Sequence, residues 1–521
     1  METGNTQATQ HYHKHPSEFL GQLVGEPENI QNNLPAGAPA VHKLLPSTKL
    51  PGGFDATPIP HAAPGFTLKF IVHRAANLPI GDLSSLSSDP FVALYLKVDL
   101  PRRHKQDPDV VFRTPTIRKS VNPVWDCEWV VANVPASGFQ LKCRIYDEDP
   151  INHDDRLGNV RVDVEHLHDA WVGIKNQPFK IRRRMASKRS YLLTALTASA
   201  NTTPLLFISI ECLGKTLGTE GGQMYTVGPN MWTQHFSPLI GMLAGTRDSE
   251  QGRDGSSVVT RYNFQAIQIQ LKGPVPPSLY HRYVEFKPFV AGMFTSRSLR
   301  GRILNRALHH QHARIYNFSR STVYGMEPSP SALLTKQFLE FVHHGQGGKV
   351  FTYVLTLDGQ LRFTETGKEF RIDMLSKHTM HSDVSIYIAY SGEFFIRKLR
   401  HGTRDSSSLE PGYTHDPPEG PSIAKDASLV LNDLSTFELV IDNDSGTYRP
   451  SAECLPQLQE FLSMNLPGLR VTTLDCQRDA ELLSRLKSEQ RDRKVQTARQ
   501  LAYIQETGSA SSISNSGVDG S

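Results

Sequence analysis

Between residues 66 and 213 the chain is a succession of short β-rich runs, and this pattern constrains the fold more than any other feature. The runs consist of apolar, β-branched and aromatic residues, and turn-forming residues separate them: FTLKFIVHRAANL, PFVALYLKVDL, VWDCEWVV, QLKCRIYDED, NVRVDV and LLFISIECL. Several short strands at this spacing are typical of an antiparallel sandwich. We therefore predict an all-β antiparallel sandwich here.

Composition divides the rest of the chain and predicts a multidomain protein. The first residues are rich in His, Pro, Gly and Asn, and a later polar segment is broken by prolines, so neither is expected to form a core. Elsewhere strand-like runs alternate with helical patterns, which is typical of an α+β region. We predict a disordered leader (1–63), the sandwich (64–214), an α+β region of unknown function (223–400), a linker (401–426), a strand–helix–strand unit with a charged helix that belongs to the same C-terminal domain (427–505) and a disordered tail (506–521).

Composition also predicts where in the cell the protein is found and which partners it binds. Its five cysteines show neither the density of a disulfide scaffold nor the spacing of a zinc site, which is typical of reduced thiols in an intracellular protein. We find neither the apolar core of a signal peptide nor a run of 18 apolar residues, so we expect a cytoplasmic, eukaryotic-type protein whose membrane contacts are peripheral. The net charge of only +4 argues against a dedicated nucleic-acid binder.

Acidic residues are crowded into the stretch IYDEDPINHDDRLG, which begins at Ile145. Carboxylates held close together repel one another unless a cation compensates them. Asp147 and Asp149 lie two apart at the end of a strand and face the same way, and Asp155 follows on the returning loop. An earlier loop carries Asp82 and Asp89. Calcium accepts six to eight oxygen ligands in flexible geometry, so we predict calcium as the cofactor.

The order of these motifs resembles the C2 domain, a calcium-dependent lipid-binding module. The matching features are the opening NLP, the SDPF entry to a strand, the turn KSVNPVW and the DED loop that closes on LG, within residues 64–214. The resemblance implies that Asp82 and Asp89 from the first tip loop, with Asp147, Asp149 and Asp155 from the third, bind the ions. It also implies that Asn122, Pro123 and Trp125 are structural.

The resemblance further implies an electrostatic switch at an anionic phospholipid membrane surface. Without calcium the acidic loops are repelled by such a surface, and bound calcium reverses the local charge. Apolar side chains at the loop tips are then expected to enter the membrane interface; they are Leu83, Leu86 and Ile151. Basic residues on two segments are candidate lipid contacts; they are Lys97, Arg102, Arg103, Lys105, Arg182, Arg183 and Arg184.

The C-terminal region offers weaker chemical signals, and we assign no catalytic residues. Asp442 and Asp444 follow an apolar strand and are similar to the D-x-D loop of haloacid-dehalogenase-type phosphatases, but Ser445 stands where those enzymes need Thr or Val. An Asx turn explains the same two residues. The stretch DMLSKHTMHSDV offers His378, His381 and Asp383 as metal ligands, and surface histidines are the alternative.

Three functions remain open on the sequence. The first is a non-catalytic adaptor that calcium recruits to an anionic membrane and that binds a protein partner through its C-terminal region. The second is a lipid- or phosphate-acting enzyme that the C2-like domain brings to its substrate. This function requires Asp442, Asp444, His378 and His381 to converge. The third is a calcium-independent, protein-binding version of the C2 domain.

Overall fold

The computed structural model of the chain describes residues that belong to one compact unit spanning Pro51–Ser521. The described residues are 60–81, 87–103, 109–148, 154–183, 203–218, 222–237, 247–251, 258–262, 264–279, 322–329, 331–366, 388–399, 434–445 and 449–513. Most of the predicted leader and all of the predicted linker lie outside them.

Strands dominate the first part of the described chain. They are β1 (Phe66–Ala76), β2 (Pro90–Lys97), β3 (Val110–Arg113), β4 (Val124–Val134), β5 (Phe139–Asp147), β6 (Asp155–Val164), β7 (Ile174–Lys180), β8 (Arg182–Arg183) and β9 (Leu205–Lys215). Together with a later strand they form two five-stranded sheets, whose order is β3-β2-β5-β6-β8 in one and β4-β1-β9-β7 with the later strand beside β4 in the other. The predicted β-sandwich is confirmed.

The core of the sandwich lies between these two sheets. Residues along β5 alternate strictly between buried and partly exposed positions, as a strand with one face on a core requires. Trp129 on β4 is fully buried, and its ring stacks on Phe112 of β3 at 5.5 Å and packs against Phe70 of β1 at 5.3 Å. These aromatic contacts join the two sheets across the core.

Strands β3, β7 and β8 were not among the predicted runs. The segment that begins at Phe179 forms the end of β7 and all of β8. In β7 no residue is buried, because the strand lies at the edge of its sheet. An edge strand without a buried face lacks the apolar alternation that pattern analysis detects.

The second part of the described chain contains eleven further strands and three α-helices. The strands are β10 (Tyr225–Gly228), β11 (Asn230–Ser237), β12 (Arg247–Gln251), β13 (Val258–Tyr262), β14 (Phe264–Gln270), β15 (Thr322–Glu327), β16 (Phe351–Thr356), β17 (Gln360–Glu365), β18 (Ile388–Lys398), β19 (Phe437–Asp442) and β20 (Arg470–Leu474). The helices are α1 (Ala332–Phe341), α2 (Leu455–Asn465) and α3 (Ala480–Ile513). Short 3-10 helices lie at Pro277–Leu279, His343–Gly348, Leu434–Thr436 and Ala452–Cys454.

Eight of these strands form what we call the second sheet. Its order is β15-β11-β14-β17-β16-β18-β19-β20, antiparallel except for the parallel pair β19 and β20. Helix α2 connects that pair, so this part of the chain runs strand, helix, strand. Every residue of β16 and of β19 is buried, because helices cover both faces of the sheet. Phe394 and Ile396 pack in the cluster that contains α1 and α2, whereas Phe395 packs with Leu483 and Leu486 of α3.

The sandwich and the second sheet are joined by one extended segment. Strand β10 pairs with β4 at the edge of the sandwich, and after Pro229 the chain enters the second sheet as β11. Trp129 Nε1 donates a hydrogen bond to Thr226 Oγ1 on β10 at 3.4 Å. This pairing fixes the position of the second sheet against the edge of the sandwich.

Three further observations bear on the sequence predictions. All five cysteines are free, and burial raises the pKa of the Cys127 and Cys143 thiols to about 12, so both stay protonated near neutral pH. Helix α3 continues to Ile513, past the predicted end at residue 505, because an established helix propagates at little cost. No helix in the part of the chain that the structure describes is long and apolar enough to cross a membrane.

Buried ion pairs hold α3 against the second sheet. Lys487 Nζ lies 2.7 Å from Asp442 Oδ2 and 2.7 Å from Glu393 Oε2. Asp442 is 1% exposed, and its burial raises the pKa of its carboxyl while Lys487 opposes that rise. The lysine therefore supplies the charge that a buried carboxylate needs.

We expect Lys487→Ala to destabilise the protein by about 3 kcal/mol, because it leaves Asp442 buried without a cation. The measurement is chemical denaturation of the full chain. Arg491→Ala, at an exposed position on the same helix, is the control and should change the stability little. Equal stability of the two variants would show that the ion pairs do not hold α3 in place.

Candidate functional site

Three strands of one sheet meet at the same end of the sandwich, and an aspartate lies at each. Pro90 at the start of β2 pairs with Asp147 at the end of β5, and Asp147 pairs with Asp155 at the start of β6. Asp89 directly precedes Pro90. The strand pairing thus places Asp89, Asp147 and Asp155 together, and we call these three residues the acidic tip.

Asp147 is the buried member of the acidic tip, with 3% of its surface exposed. Its Oδ1 accepts a hydrogen bond from the backbone N–H of Asp89 at 2.5 Å. A Cβ atom at Gly81 would lie 1.7 Å from Asp147 Oδ2, so the absence of a side chain at this position makes room for the carboxylate. The backbone next to Asp82 therefore lies against Asp147, and the first and third loops adjoin.

Asp89 is bound by the second loop, which connects β3 to β4. Its Oδ2 lies 2.9 Å from Arg118 Nη1, and its Oδ1 accepts a hydrogen bond from the backbone N–H of Lys119 at 2.7 Å. Asn122 joins this loop to the first one, because its Oδ1 accepts from the backbone N–H of Asn77 at 2.8 Å. Trp125 Nε1 donates to the carbonyl oxygen of Pro115 at 3.0 Å and packs on the core of the sandwich.

Glu148 lies beside the acidic tip and takes part in two ion pairs. Its Oε1 is 2.8 Å from Arg113 Nη2, and its other oxygen contacts Arg118. Its backbone N–H donates to the carbonyl oxygen of Asp89 at 2.9 Å. Arg118 thus bridges Asp89 and Glu148, while Arg113 holds Glu148 from the other side.

Burial and charge act in opposite directions on these two arginines. Burial lowers the pKa of the Arg113 guanidinium, although Tyr324, Glu148 and Asp154 favour its charged form. The Arg118 side chain is 59% exposed, so desolvation lowers the pKa of its guanidinium less than the hydrogen bond to Asp89 and the charge of Glu148 raise it. Both side chains therefore depend on the carboxylates of the loops for their stability as cations.

The sequence analysis missed Glu148, Arg113 and Arg118. Glu148 stands inside the DED motif, and the arginines stand at the two ends of RTPTIR. The three consecutive acids of DED and the basic residues of the second loop were signals of compensating charge. They do not identify the partners, because the pairing depends on how three loops meet.

Several predicted site residues lie outside the described part of the chain. They are Asp82, Leu83, Leu86, Lys105, Asp149, Ile151 and Arg184. Within the described ranges no group of three or more His, Cys, Asp or Glu side chains is close enough to hold a metal ion. The described aspartates nevertheless offer the oxygen chemistry and the shared strand ends that a calcium site uses.

The candidate lipid-binding arginines and lysines lie in different surroundings. Lys97 Nζ is 3.6 Å from Asp109, and Arg102 also contacts Asp109, so this carboxylate offsets part of their charge. Arg182 and Arg183 form β8 at the edge of the sheet beside β6. Arg103 is partly buried.

Next to the second sheet, Asp442 and Asp444 form ion pairs with different basic side chains. Asp442 pairs with Lys487, and Asp444 Oδ2 lies 3.0 Å from Arg449 Nη2. Asp442 Oδ1 also accepts the backbone N–H of Asp444 at 3.0 Å, which is the Asx turn that the sequence allowed. His378, His381 and Asp383 lie outside the described residues.

A polar group on the other face of the sandwich has the distances of a Ser-His-Asp triad. His73 Nε2 lies 2.7 Å from Ser209 Oγ, and His73 Nδ1 lies 3.0 Å from Asp126 Oδ1. The Asp126 side chain is 66% exposed, whereas Ser209 is 6% exposed. In serine hydrolases the aspartate is buried and the serine faces the substrate, whereas here the aspartate is exposed and the serine is buried. Ser209 Oγ also accepts the backbone N–H of Asn176, so the group joins neighbouring strands.

Comparison with known proteins identifies the sandwich. The sequence profile of the C2 domain family matches residues 66–177. A probable ADP-ribosylation factor GTPase-activating protein from Arabidopsis thaliana, AGD13, is 33% identical over 100 residues, which are 19% of this chain and 26% of that protein. Human RasGAP-activating-like protein 1 is 32% identical over 103 residues, which are 19% of this chain and 11% of that protein. This chain therefore spans only a small part of the length of these curated relatives.

Among solved structures, a C2 domain of plant extended synaptotagmin 1 matches with 18% identity and a TM-score of 0.21. The match covers 29% of this chain and 98% of that domain. C2 domains as a family generally bind membranes or lipids. Residues 66–177 of this chain belong to the C2 domain family.

Proposed function

We propose that the chain is a calcium-dependent, peripheral membrane-binding protein that recruits its C-terminal region to an anionic phospholipid surface and acts there as an adaptor. The observation that supports this proposal is that Asp89, Asp147 and Asp155 lie together at the ends of three adjoining strands, beside the Gly81 backbone. In this proposal Asp82 and Asp149 complete the set of ligands. Bound calcium supplies positive charge and open coordination positions for lipid oxygens.

Charge at the loops determines the direction of the switch in this proposal. Carboxylates of the acidic tip repel an anionic leaflet as long as no cation neutralises them. Once they are neutralised, the apolar side chains Leu83, Leu86 and Ile151 enter the interface. Lys97 and Arg102 contribute less than free basic residues do, because Asp109 offsets their charge.

The surroundings of Asp442 and Asp444 favour an adaptor over an enzyme. Each aspartate is held by its own cation, Lys487 or Arg449, and the two carboxylates do not converge on a common centre. Helices cover both faces of the second sheet, which makes the region a folded platform. We therefore assign to it the binding of a protein partner.

A calcium-independent, protein-binding C2 domain is the second candidate. The observation that favours it is Arg118, which pairs with both Asp89 and Glu148 and so compensates two carboxylates without a metal ion. In this case the loops bind a protein partner in either the presence or the absence of calcium.

Co-sedimentation of the full chain with phosphatidylserine-containing vesicles tests the proposal. We expect the protein to pellet in calcium and to stay in solution in chelator. The double variant Asp89→Asn and Asp147→Asn should lose calcium-dependent pelleting, with an apparent calcium affinity weaker by about tenfold or more, because two charged ligands are removed. Asn retains the acceptor oxygen that receives the Asp89 N–H, so the loops keep their local hydrogen bond.

Asp169→Asn is the matched control, since Asp169 is an exposed aspartate that pairs with Lys215 away from the acidic tip. It should pellet like the wild type. Pelleting of the wild type in chelator would contradict calcium dependence. Absence of pelleting in both conditions would contradict membrane binding and favour the second candidate.

A further inference from the structure

Arg113 connects the C2 domain to the second sheet. Its guanidinium lies between two aromatic rings, 3.7 Å from the centroid of Phe91 on β2 and 3.5 Å from that of Tyr324 on β15. Its side chain is 15% exposed. Stacking between two rings, one from each part of the protein, makes Arg113 a direct contact between the C2 domain and the second sheet.

The same guanidinium depends on a carboxylate of the third tip loop. Arg113 Nη2 is 2.8 Å from Glu148 Oε1, and its other hydrogen bonds are Nη1 to the carbonyl oxygen of Thr114 at 3.3 Å and Nη2 to Thr116 Oγ1 at 3.1 Å. Glu148 supplies the negative charge among these contacts. A buried guanidinium needs such a charge to remain in place.

Glu148 is shared between Arg113 and Arg118, and Arg118 is shared between Glu148 and Asp89. The contacts therefore form a series that runs from the acidic tip to the second sheet: Asp89, Arg118, Glu148, Arg113 and Tyr324. We call this series the ion-pair relay. Arg118 is its most exposed charged member, with a side chain that is 59% exposed, and is thus the residue with most freedom to leave.

The region around the far end of the relay leaves room for movement. A cavity of about 170 Å³ lies between the C2 domain and the second sheet, and both Arg113 and Tyr324 line it. Elsewhere the two parts are held by the pairing of β10 with β4 and by the contact of Cys127 Sγ with Met326 Sδ at 3.8 Å. Rearrangement of Arg113 therefore does not require the two parts to separate.

We propose that cation binding at the acidic tip is coupled, through the ion-pair relay, to the contact of Arg113 with Tyr324 of the second sheet. The inference rests on the proposed calcium site. Arg118 and a divalent cation compete for Asp89 Oδ2, since the two positive charges repel each other at this distance. Arg118 therefore leaves Asp89 when the cation binds.

The remaining steps follow from the charge of Glu148. Glu148 directly follows Asp147 in the chain and shares Arg118 with Asp89. A cation that displaces Arg118 at the acidic tip therefore attracts the Glu148 carboxylate away from Arg113. Arg113 then loses its carboxylate partner and its position between the two rings. Coupling between two sites is reciprocal, so a weaker contact between Arg113 and Tyr324 strengthens cation binding. Calcium thereby changes the surface that the C2 domain shares with the region it carries.

Substitution of Arg118 tests the first step. We expect Arg118→Gln to bind calcium about fivefold to tenfold more tightly than the wild type, because the competing cation is removed. Isothermal titration of the full chain with calcium alone measures this. Lys119→Gln removes the same charge from the same loop but leaves the backbone N–H that binds Asp89, so it gives the effect of net charge alone. Equal affinities of the two variants would overturn the competition.

Substitution of Tyr324 tests the coupling at a distance from the acidic tip. We expect Tyr324→Ala to bind calcium about threefold or more tightly than the wild type, because the contact that calcium must weaken is already lost. Val323→Ala, at an exposed neighbour on β15, should bind like the wild type. The measurement is again calcium titration of the full chain.

Hydrogen exchange of the wild type provides a readout that needs no variant. Calcium should increase exchange in residues 110–114 and 322–327. Calcium binding with unchanged exchange there and with equal affinities of Tyr324→Ala and wild type would overturn the coupling and leave the proposed function intact. Absence of calcium binding by the wild type would overturn both.

Discussion

Asp89, Asp147 and Glu148 bring three carboxylates to one end of the sandwich, where little water reaches them, and the chain must supply positive charge to stabilise them there. Asp147 and Glu148 are 3% and 8% exposed. Burial of a carboxylate without a partner costs several kcal/mol, so the positions of nearby basic groups are not free. Arg118 and Arg113 meet this requirement from the second loop and from β3. The fold of the second loop against Asp89 follows from it.

The same requirement extends to the second sheet, because Arg113 is itself buried. A guanidinium held by one carboxylate needs its remaining surface covered, and the rings of Phe91 and Tyr324 cover it. The attachment of β10 to β4 places β11, and with it β15, where Tyr324 reaches Arg113. Arg113 therefore has two functions: it compensates the charge of Glu148 at the loops, and it attaches the C2 domain to the second sheet.

The parts of this structure that could be predicted from sequence are those that depend on local pattern. The alternating burial of β5 and the continuous burial of β19 correspond to patterns that a reader of the sequence sees. The position of Asp89, Asp147 and Asp155 at strand ends follows from short, ordered motifs in the sequence. Strand β7 could not be found in this way, since an edge strand with no buried residue has no pattern to detect.

Ion pairs that decide the electrostatics of the site are not local and could not be predicted. Arg118 pairs with Asp89 across 29 positions in the chain, and Arg113 pairs with Glu148 across 35. Asp442 is a second case in which the sequence could not show the ion-pair partner. The sequence presented it as a candidate for phosphate chemistry, but Lys487 on α3 holds it as a structural ion pair. Exposure separates the two cases. The Arg118 side chain is 59% exposed and can leave Asp89 for water, whereas the Lys487 side chain is 27% exposed and lies on the face of α3 that packs against the second sheet. Of these two aspartates, only Asp89 has an ion-pair partner exposed enough to return to solvent, as our proposal of cation binding at the acidic tip requires.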